Sequence, residues 1–349
     1  ISNIPPLTFR AKERAEVYII KEQHCIETAG IKVPVQELRL NNLNPSIELS
    51  KFVHIGDNIR QTSCEYVLYT DGSKSELGVG SAFVAYENGT ESTHQKIKMP
   101  DYCSVFQTEL TAIRRATEYI IDSYPSQNII IYSDSRASLM AIKDRQSRNL
   151  TVQSIQKNMV ELESVGVKLT LAWVKAHVGI EGNERADILA KEAVTMNASL
   201  AIGMPAPLSW TKGVLRARTQ TEWNNRWKTS LKGKWTREIF PNLKTRIMAG
   251  KIKHSFVTTQ FLTGHGKFGV YLFDKKCRRD SRCRCGAEQD CRHVLFECCL
   301  LRDKRSDLIA ECSAPNIQFE LSSLPRIMAH PQLKVDLTET LNNIHRVLV

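Results

Sequence analysis

At 349 residues, with 42 % of them hydrophobic, the chain is long enough for two or three domains with sizeable cores. No apolar run approaches the ~20 residues that a membrane span needs, and there is no signal-peptide pattern. The net charge of +11 fits a polyanionic partner, a property that ribosomal and histone-like proteins share.

The chain begins at Ile1 rather than Met, and is expected to be a fragment of a longer polypeptide. Leu7 to Lys21 reads as a helix with Ala11, Ala15, Tyr18 and Ile19 on one side. Residues 31–58, with Pro34 and an Asn-rich turn over Leu40–Pro45, read as a connector. A compact domain is expected from near Ser63. Glu65–Thr70, Gly78–Tyr86 and Thr93–Met99 read as strands of an antiparallel meander, separated by short polar or glycine turns.

Ser104 and Gln107 match a capping box that opens a helix to about Ile121, with Phe106, Leu110, Ile113, Thr117 and Ile120 inward. Asn128–Ser133 has the length of a buried strand. Helices over Ser135–Lys143 and Val152–Val165 follow, then a half-buried strand over Val167–Trp173. Lys175–Gly182 is a loop. Asn183 is the expected N-cap of a helix over Glu184–Val194, which would bring Asp187 into the first turn. The order βββαβααβα predicts a mixed α/β fold, a five-stranded sheet flanked by helices.

Residues 197–210 read as a linker, with Gly203, Pro205 and Pro207. Between Lys212 and Lys253 stand twelve Lys or Arg against two Glu, with Trp210, Trp223, Trp227 and Trp235 in or beside the stretch. Trp223 and Trp227 are expected to share a helix face as core. The density of cations points to phosphate contacts. Helices over Leu301–Cys312 and Leu333–Leu348 close the chain.

Four acidic residues sit where the chain is expected to bend or change element: Asp71, Glu109, Asp134 and Asp187. Bare carboxylates converging without basic partners repel one another, and hard divalent cations relieve that repulsion. Singly each has an ordinary explanation, as turn residue, helix cap or exposed side chain. Jointly, in order, with His177 on a glycine loop beside Asp187, they do not.

The segments Y-T-D-G-S around Asp71, Q-T-E-L-T-A around Glu109, Y-S-D-S around Asp134 and H-x-G-x-x-G-N-E-x-A-D from His177 to Asp187 resemble the motif set of type 1 ribonucleases H. The resemblance covers about residues 63–195. It implies an RNase H-like fold and hydrolysis of the RNA strand of RNA–DNA hybrids with two Mg²⁺ ions, for which Mn²⁺ can substitute. Asp71 would bridge the ions, Asp187 would hold the water-side one, and Glu109 and Asp134 the other. His177 would take a proton or help product leave. An integrase or exonuclease on the same fold is disfavoured by the His177–Asp187 motif. No basic protrusion is evident between Asp134 and the last strand.

Six of the ten cysteines fall between Cys277 and Cys299. Without a secretory signal, a Cys/His cluster reads as a metal site in a reducing compartment rather than as disulfides. Cys283, Cys285, His293 and Cys298 are the expected ligands of a structural Zn²⁺. Cys291 and Cys299 are near enough to compete, and His265 is a spare ligand or a turn residue.

The segment Thr263-Gly264-His265-Gly266-x-Phe268-Gly269-x-Tyr271-Leu272 with this cluster looks like the C-terminal region of non-LTR (LINE-type) retrotransposon polyproteins. Ile4-Pro5-Pro6-Leu7 followed by Glu13-Arg14-Ala15 is similar to the end of their reverse transcriptase. The resemblance implies residues 1–60 as a reverse-transcriptase tail and connector, 61–196 as the RNase H domain, 197–210 as a linker, and 211–349 as a basic helical region with a zinc-knuckle-like CCHC motif. It implies as partners RNA–DNA hybrid and other nucleic acid, and the upstream reverse transcriptase and endonuclease of the same polyprotein, in the nucleus, the cytoplasm or both. A catalytically inactive nucleic-acid-binding module is the alternative.

Overall fold

The computed structural model describes residues 5–56, 66–123, 127–250 and 255–348. The expected domain start at Ser63 and Glu65 lies outside them, as do Ile4, Lys251 and Lys253. The chain forms two compact units, residues 14–215 and residues 1–13 with 216–349.

The first unit opens with most of helix α1 (Leu7–Gln23) and a hairpin of β1 (Cys25–Thr28) and β2 (Ile31–Pro34). The stretch expected to be only a connector therefore carries secondary structure. Its turn is made by Ala29 and Gly30, both at positive φ, the conformation that a tight hairpin demands. A short β3 (Val53–His54) follows, then β4 (Tyr66–Ser75), β5 (Gly78–Glu87), β6 (Thr90–Met99), α2 (Val105–Ser123), β7 (Asn128–Ser133), α3 (Arg136–Lys143), α4 (Leu150–Ser164), β8 (Lys168–Trp173) and α5 (Glu181–Val194).

The sheet runs β3-β8-β7-β4-β5-β6. β4, β5 and β6 are antiparallel, while β7 is parallel to β4 and β8 to β7. It is thus mixed, as expected, but has six strands rather than five. Val53 and His54 add a parallel edge strand beside Leu171 and Ala172; two residues carry no readable alternation, so sequence pattern could not find it.

Alternation along the strands splits the core in two. Leu68, Phe83, Ile129, Ile131 and Leu171 face one way and pack with Leu110, Ile113, Ala116 and Ile120 of α2 and Ile155, Met159 and Leu162 of α4. Tyr69, Val84, Ile130, Tyr132 and Ala172 face the other way, against Ala186, Leu189 and Ala190 of α5. Residues expected to be a linker run extended beside β2: the Ala206 N–H donates to the Pro34 carbonyl at 2.7 Å, and the Ala206 carbonyl accepts from Gln36 at 2.8 Å. Ala206 is fully buried with Ile26, Val33 and Val35.

The second unit is helical. It takes the end of α6 (Leu208–Thr229), then α7 (Lys234–Ile239), α8 (Leu243–Met248), α9 (Phe256–Thr263), α10 (Gly269–Asp274), α11 (Ser306–Ser313), α12 (Leu324–Ala329) and α13 (Pro331–Val347) around a core that includes Phe240, Phe261, Phe268, Leu308, Ile327, Leu337 and Ile344. The helix expected from Leu301 starts only at Ser306, and α12 was not foreseen. Trp227 and Trp235 each donate an indole N–H to a buried backbone carbonyl, of Phe240 at 2.8 Å and Phe261 at 2.7 Å. They are structural anchors, as the sequence reading expected for Trp227. No helix among the described residues is long and apolar enough to cross a membrane.

One glycine decides how closely α2 approaches β4. A Cβ on Gly72 would lie 2.3 Å from Thr108 Oγ1 and 2.6 Å from the Glu109 backbone nitrogen. The α2 backbone at Glu109 cannot give way as a flexible side chain can, so Gly72→Ala should destabilise the chain by about 3 kcal/mol. Gly213, exposed in α6 with nothing near its missing Cβ, offers the opposite case. Gly213→Ala should stabilise by up to about 1 kcal/mol. Urea denaturation of both variants measures this; an unperturbed Gly72→Ala would mean that α2 is free to shift.

Candidate active site

Asp71 was expected to end its strand. β4 in fact runs on to Ser75, but its pairing with β7 stops at Thr70 and Ser133. Asp71 therefore lies where one neighbouring strand has ended, and Asp134 directly follows that strand. Parallel pairing places these two positions side by side. Glu109 enters from α2, whose start is fixed by the expected capping box: the Ser104 N–H donates to Gln107 Oε1 at 3.1 Å, and the Gln107 N–H donates to Ser104 Oγ at 3.3 Å. Gly72 is the position at which α2 comes close enough to deliver it.

Carboxylate oxygens of Asp71, Glu109 and Asp134 lie within 4.8 Å of one another. Asp71 and Glu109 are each only 7 % exposed. Burial, with the charges of Asp134 and then Asp187 added, pushes the Asp71 carboxyl up to about 7. Glu109 is raised well above its ordinary value by burial and by Asp71 and Asp134. Asp134 is raised chiefly by burial, while hydrogen bonding from Asn183 and the nearness of His177 pull it down. For Asp71 the rise amounts to about 4 kcal/mol against the ionised form.

These groups fit a divalent cation. Their donors are hard carboxylate oxygens, and Glu109 Oε2 is buried without a hydrogen-bond partner. A buried acceptor left unmatched is unfavourable unless something else meets it.

Asp187 stands apart from this trio. α5 begins at Glu181, with Ile180 as its cap, so Asn183 is not the N-cap and Asp187 lies beyond the first turn. Asn183 is instead buried and hydrogen-bonded to Asp134. Asp187 pairs with Lys191, one turn on, at 2.6 Å, while its charge still acts on Asp71 and Asp134. His177 is exposed on the β8–α5 loop, in the left-handed region at φ 53, near enough to Asp134 to lower that carboxyl.

The indole N–H of Trp173 donates to the Asp134 carbonyl at 3.1 Å and steadies the backbone there. Asn183, Lys191 and Trp173 are contributors that the sequence reading did not assign. Lys191 was the legible one, since a cation four residues after a helical carboxylate is an i,i+4 partner.

Residues 63–195 match the family model for RNase H. The chain carries an RNase H domain. A stretch of 109 residues is 34 % identical to the Retrovirus-related Pol polyprotein from type-1 retrotransposable element R1 4 of Nasonia vitripennis, covering 30 % of this chain and 28 % of that polyprotein. A stretch of 95 residues is 32 % identical to the Retrovirus-related Pol polyprotein from type-1 retrotransposable element R1 of Bradysia coprophila, covering 27 % of this chain and 10 % of the relative. The chain thus matches less than a third of either polyprotein's length. Among solved structures, RNase H1 from Halobacterium salinarum is similar over 37 % of this chain and 96 % of its own, at 20 % identity and a TM-score of 0.31. The chain thus carries an RNase H domain and is homologous over part of its length to R1-type retrotransposon Pol polyproteins.

The second unit holds a separate group of soft donors. Cys283, Cys285, His293 and Cys298 each offer an atom within 4.8 Å of the others. Cys283 and Cys298 sulfurs are 3.7 Å apart, and Cys285 Sγ is 3.2 Å from His293 Nε2. A tight turn presents the first pair, with the Cys283 N–H donating to the Ala287 carbonyl and Gly286 at φ 96. Burial pushes the Cys298 thiol up to about 11, while hydrogen bonding, first from the Ala287 backbone, lowers Cys285. Cys291 is turned away to the Phe261 carbonyl at 3.2 Å, and Cys299 is exposed; neither joins the group. His265 lies beside the Tyr271 ring and is also outside it.

The acidic trio makes a pH-dependent prediction for the metal-free chain. A carboxyl raised in the folded state favours folding while protonated, so the Asp71 contribution is present below about 4 and is lost as pH climbs to about 7. Millimolar Mg²⁺ or Mn²⁺ should therefore raise the melting temperature of the RNase H domain more at pH 8 than at pH 5. Equal shifts at both values would mean that the ions bind elsewhere.

Proposed function

We propose that the RNase H domain is a competent endoribonuclease that hydrolyses the RNA strand of RNA–DNA hybrids, acting within a retrotransposon polyprotein after reverse transcription. The observation that carries this reading is the convergence of Asp71, Glu109 and Asp134 in a buried corner, with Glu109 Oε2 unmatched. The match of residues 63–195 to RNase H supports the substrate class.

Asp71, Glu109 and Asp134 would hold divalent cations, Mg²⁺ or Mn²⁺, with Asp187 joining once Lys191 releases it. Such a pair supplies positive charge to the attacking water and to the departing 3′ oxygen. The chain's own work is positioning. Gly72 lets Glu109 reach Asp71, Asn183 and Trp173 hold Asp134, and exposed His177 on its loop takes or delivers a proton at the open side of the cluster.

We further propose that Cys283, Cys285, His293 and Cys298 hold a structural Zn²⁺, the ion that three thiolates and an imidazole suit. The partners would be RNA–DNA hybrid, other nucleic acid, and the reverse transcriptase and endonuclease of the same polyprotein.

Asp134→Asn removes a charge while keeping shape, and should lower hybrid cleavage about a hundredfold or more with hybrid binding largely kept. His177→Ala should cause a smaller loss. Turnover near wild type in Asp134→Asn would make the carboxylates structural. For the second site, the reduced chain should carry about one equivalent of zinc. Cys298→Ser should lose it and Cys299→Ser should keep it; retention by both would place the metal elsewhere.

A further inference from the structure

Three cations of the segment first singled out for phosphate contacts are engaged in its own fold. Arg246 is buried, Arg237 donates to the Lys232 carbonyl at 2.7 Å, and Arg226 lies over the Phe9 ring. Trp227 and Trp235, as described, anchor helices. A denser group of cations stands elsewhere, in the run Lys275-Lys276-Cys277-Arg278-Arg279-Asp280-Ser281-Arg282-Cys283-Arg284, which holds six Lys or Arg against one Asp.

All six cations are exposed, and none is ion-paired among the described residues. The run nonetheless has a fixed course. Arg278 ties it internally, donating to Gln289 Oε1 at 2.6 Å and to the Arg282 carbonyl at 3.0 Å. The Arg282 N–H donates to Asp280 Oδ1 at 3.0 Å. Arg284 sits between two members of the Cys/His group, so its backbone is pinned on both sides. Immediately before the run, at the end of α10, Phe273 is 50 % exposed.

We propose that this turn is a docking surface for single-stranded nucleic acid, with Lys276, Arg279, Arg282 and Arg284 on the phosphates and Phe273 as a platform for a base. The inference deepens the reading of the second unit as a zinc-bearing nucleic-acid-binding region and rests on it. Cations alone attract any polyanion. A large aromatic ring left half in water and adjoining them in the chain fits a ligand that offers both a charged backbone and exposed flat faces. Paired bases in a duplex do not present those faces, which selects the single strand. An anionic lipid surface would share only the charge.

The test is fluorescence anisotropy of the full, zinc-loaded chain with a labelled oligothymidylate of about 20 nucleotides, over a series of salt concentrations. The comparison is with Arg279→Gln/Arg282→Gln/Arg284→Gln and, separately, Phe273→Ala. Removing three phosphate contacts should weaken binding about tenfold or more and flatten the log–log salt slope by about two, at roughly 0.7 per contact. Phe273→Ala should weaken single-strand binding about fivefold or more, the range expected of one stacked base, with little change in salt slope or in duplex affinity.

Zinc content and circular dichroism of each variant separate a lost contact from lost fold. Where the triple variant misfolds, Phe273→Ala and the single Arg279→Gln carry the test. Unchanged affinity in folded, zinc-bearing variants overturns the proposal. So does loss of binding to phosphatidylserine vesicles with oligonucleotide binding intact. Hybrid cleavage by the wild-type chain, assayed alongside, reports on the RNase H proposal separately. A chain that binds the oligothymidylate but cleaves no hybrid overturns only that proposal, and one that cleaves hybrid but binds no single strand overturns only this.

Discussion

Three carboxyl groups, two buried and the third half-buried, share one corner, and ionising all of them there without a counter-charge is unfavourable. Desolvation opposes each anion, and each anion opposes the next. The metal-free fold meets this by keeping protons, which is why Asp71 rises to about 7. The cluster therefore contributes nothing to holding the sheet together at neutral pH, and stability has to come from the apolar layers on either side. Leu68, Ile131 and Leu171, fully buried against α2 and α4, and Tyr132 and Ala172 against α5, make up those layers. The same strands that carry the core end in the charges, so the core determines where the charges meet.

The second unit solves a comparable problem with different atoms. Its thiols and imidazole gather at a turn and a helix rather than at the ends of parallel strands, and burial again raises a member of the group, Cys298. Softness keeps the two sites apart: thiolate and imidazole donors favour ions such as Zn²⁺, whereas the bare carboxylates favour Mg²⁺ or Mn²⁺. Under the proposed function, that difference would let one chain hold a structural ion and a functional pair without exchange between them.

Much of the RNase H domain was legible because its chemistry sits beside strong local signals. The Ser104/Gln107 box fixed the start of α2, and the order of strands and helices followed from alternation and glycine turns. What failed were local readings that tertiary contacts override. Asp71-Gly72 looked like a turn, yet Gly72 is a strand residue made small by the helix lying on it. Asn183 has the chemistry of a cap, but burial beside Asp134 gives it another partner, and the helix starts before it. That displacement of the helix start moved Asp187 out of the first turn, while its i,i+4 spacing to Lys191 holds wherever the helix begins. The β1–β2 hairpin was missed because its strands are four residues long, and β3 because it has two.

The fold also bears on where cations for the proposed substrate would lie. The connection between α3 and α4 is short, Asp144–Asn149, and its Arg145 donates to the Pro45 carbonyl at 2.7 Å, so it serves packing. Lys191 is held by Asp187 and Arg185 by Glu91. Lys191 and Arg185 are thus engaged within the RNase H unit itself. A nucleic-acid backbone brought to a site that is itself acidic meets repulsion there until divalent ions bind. Under the proposed function, the excess positive charge of the chain belongs in a separate unit for a physical reason: cations beside the trio would neutralise the carboxylates and displace the ions those carboxylates are placed to hold.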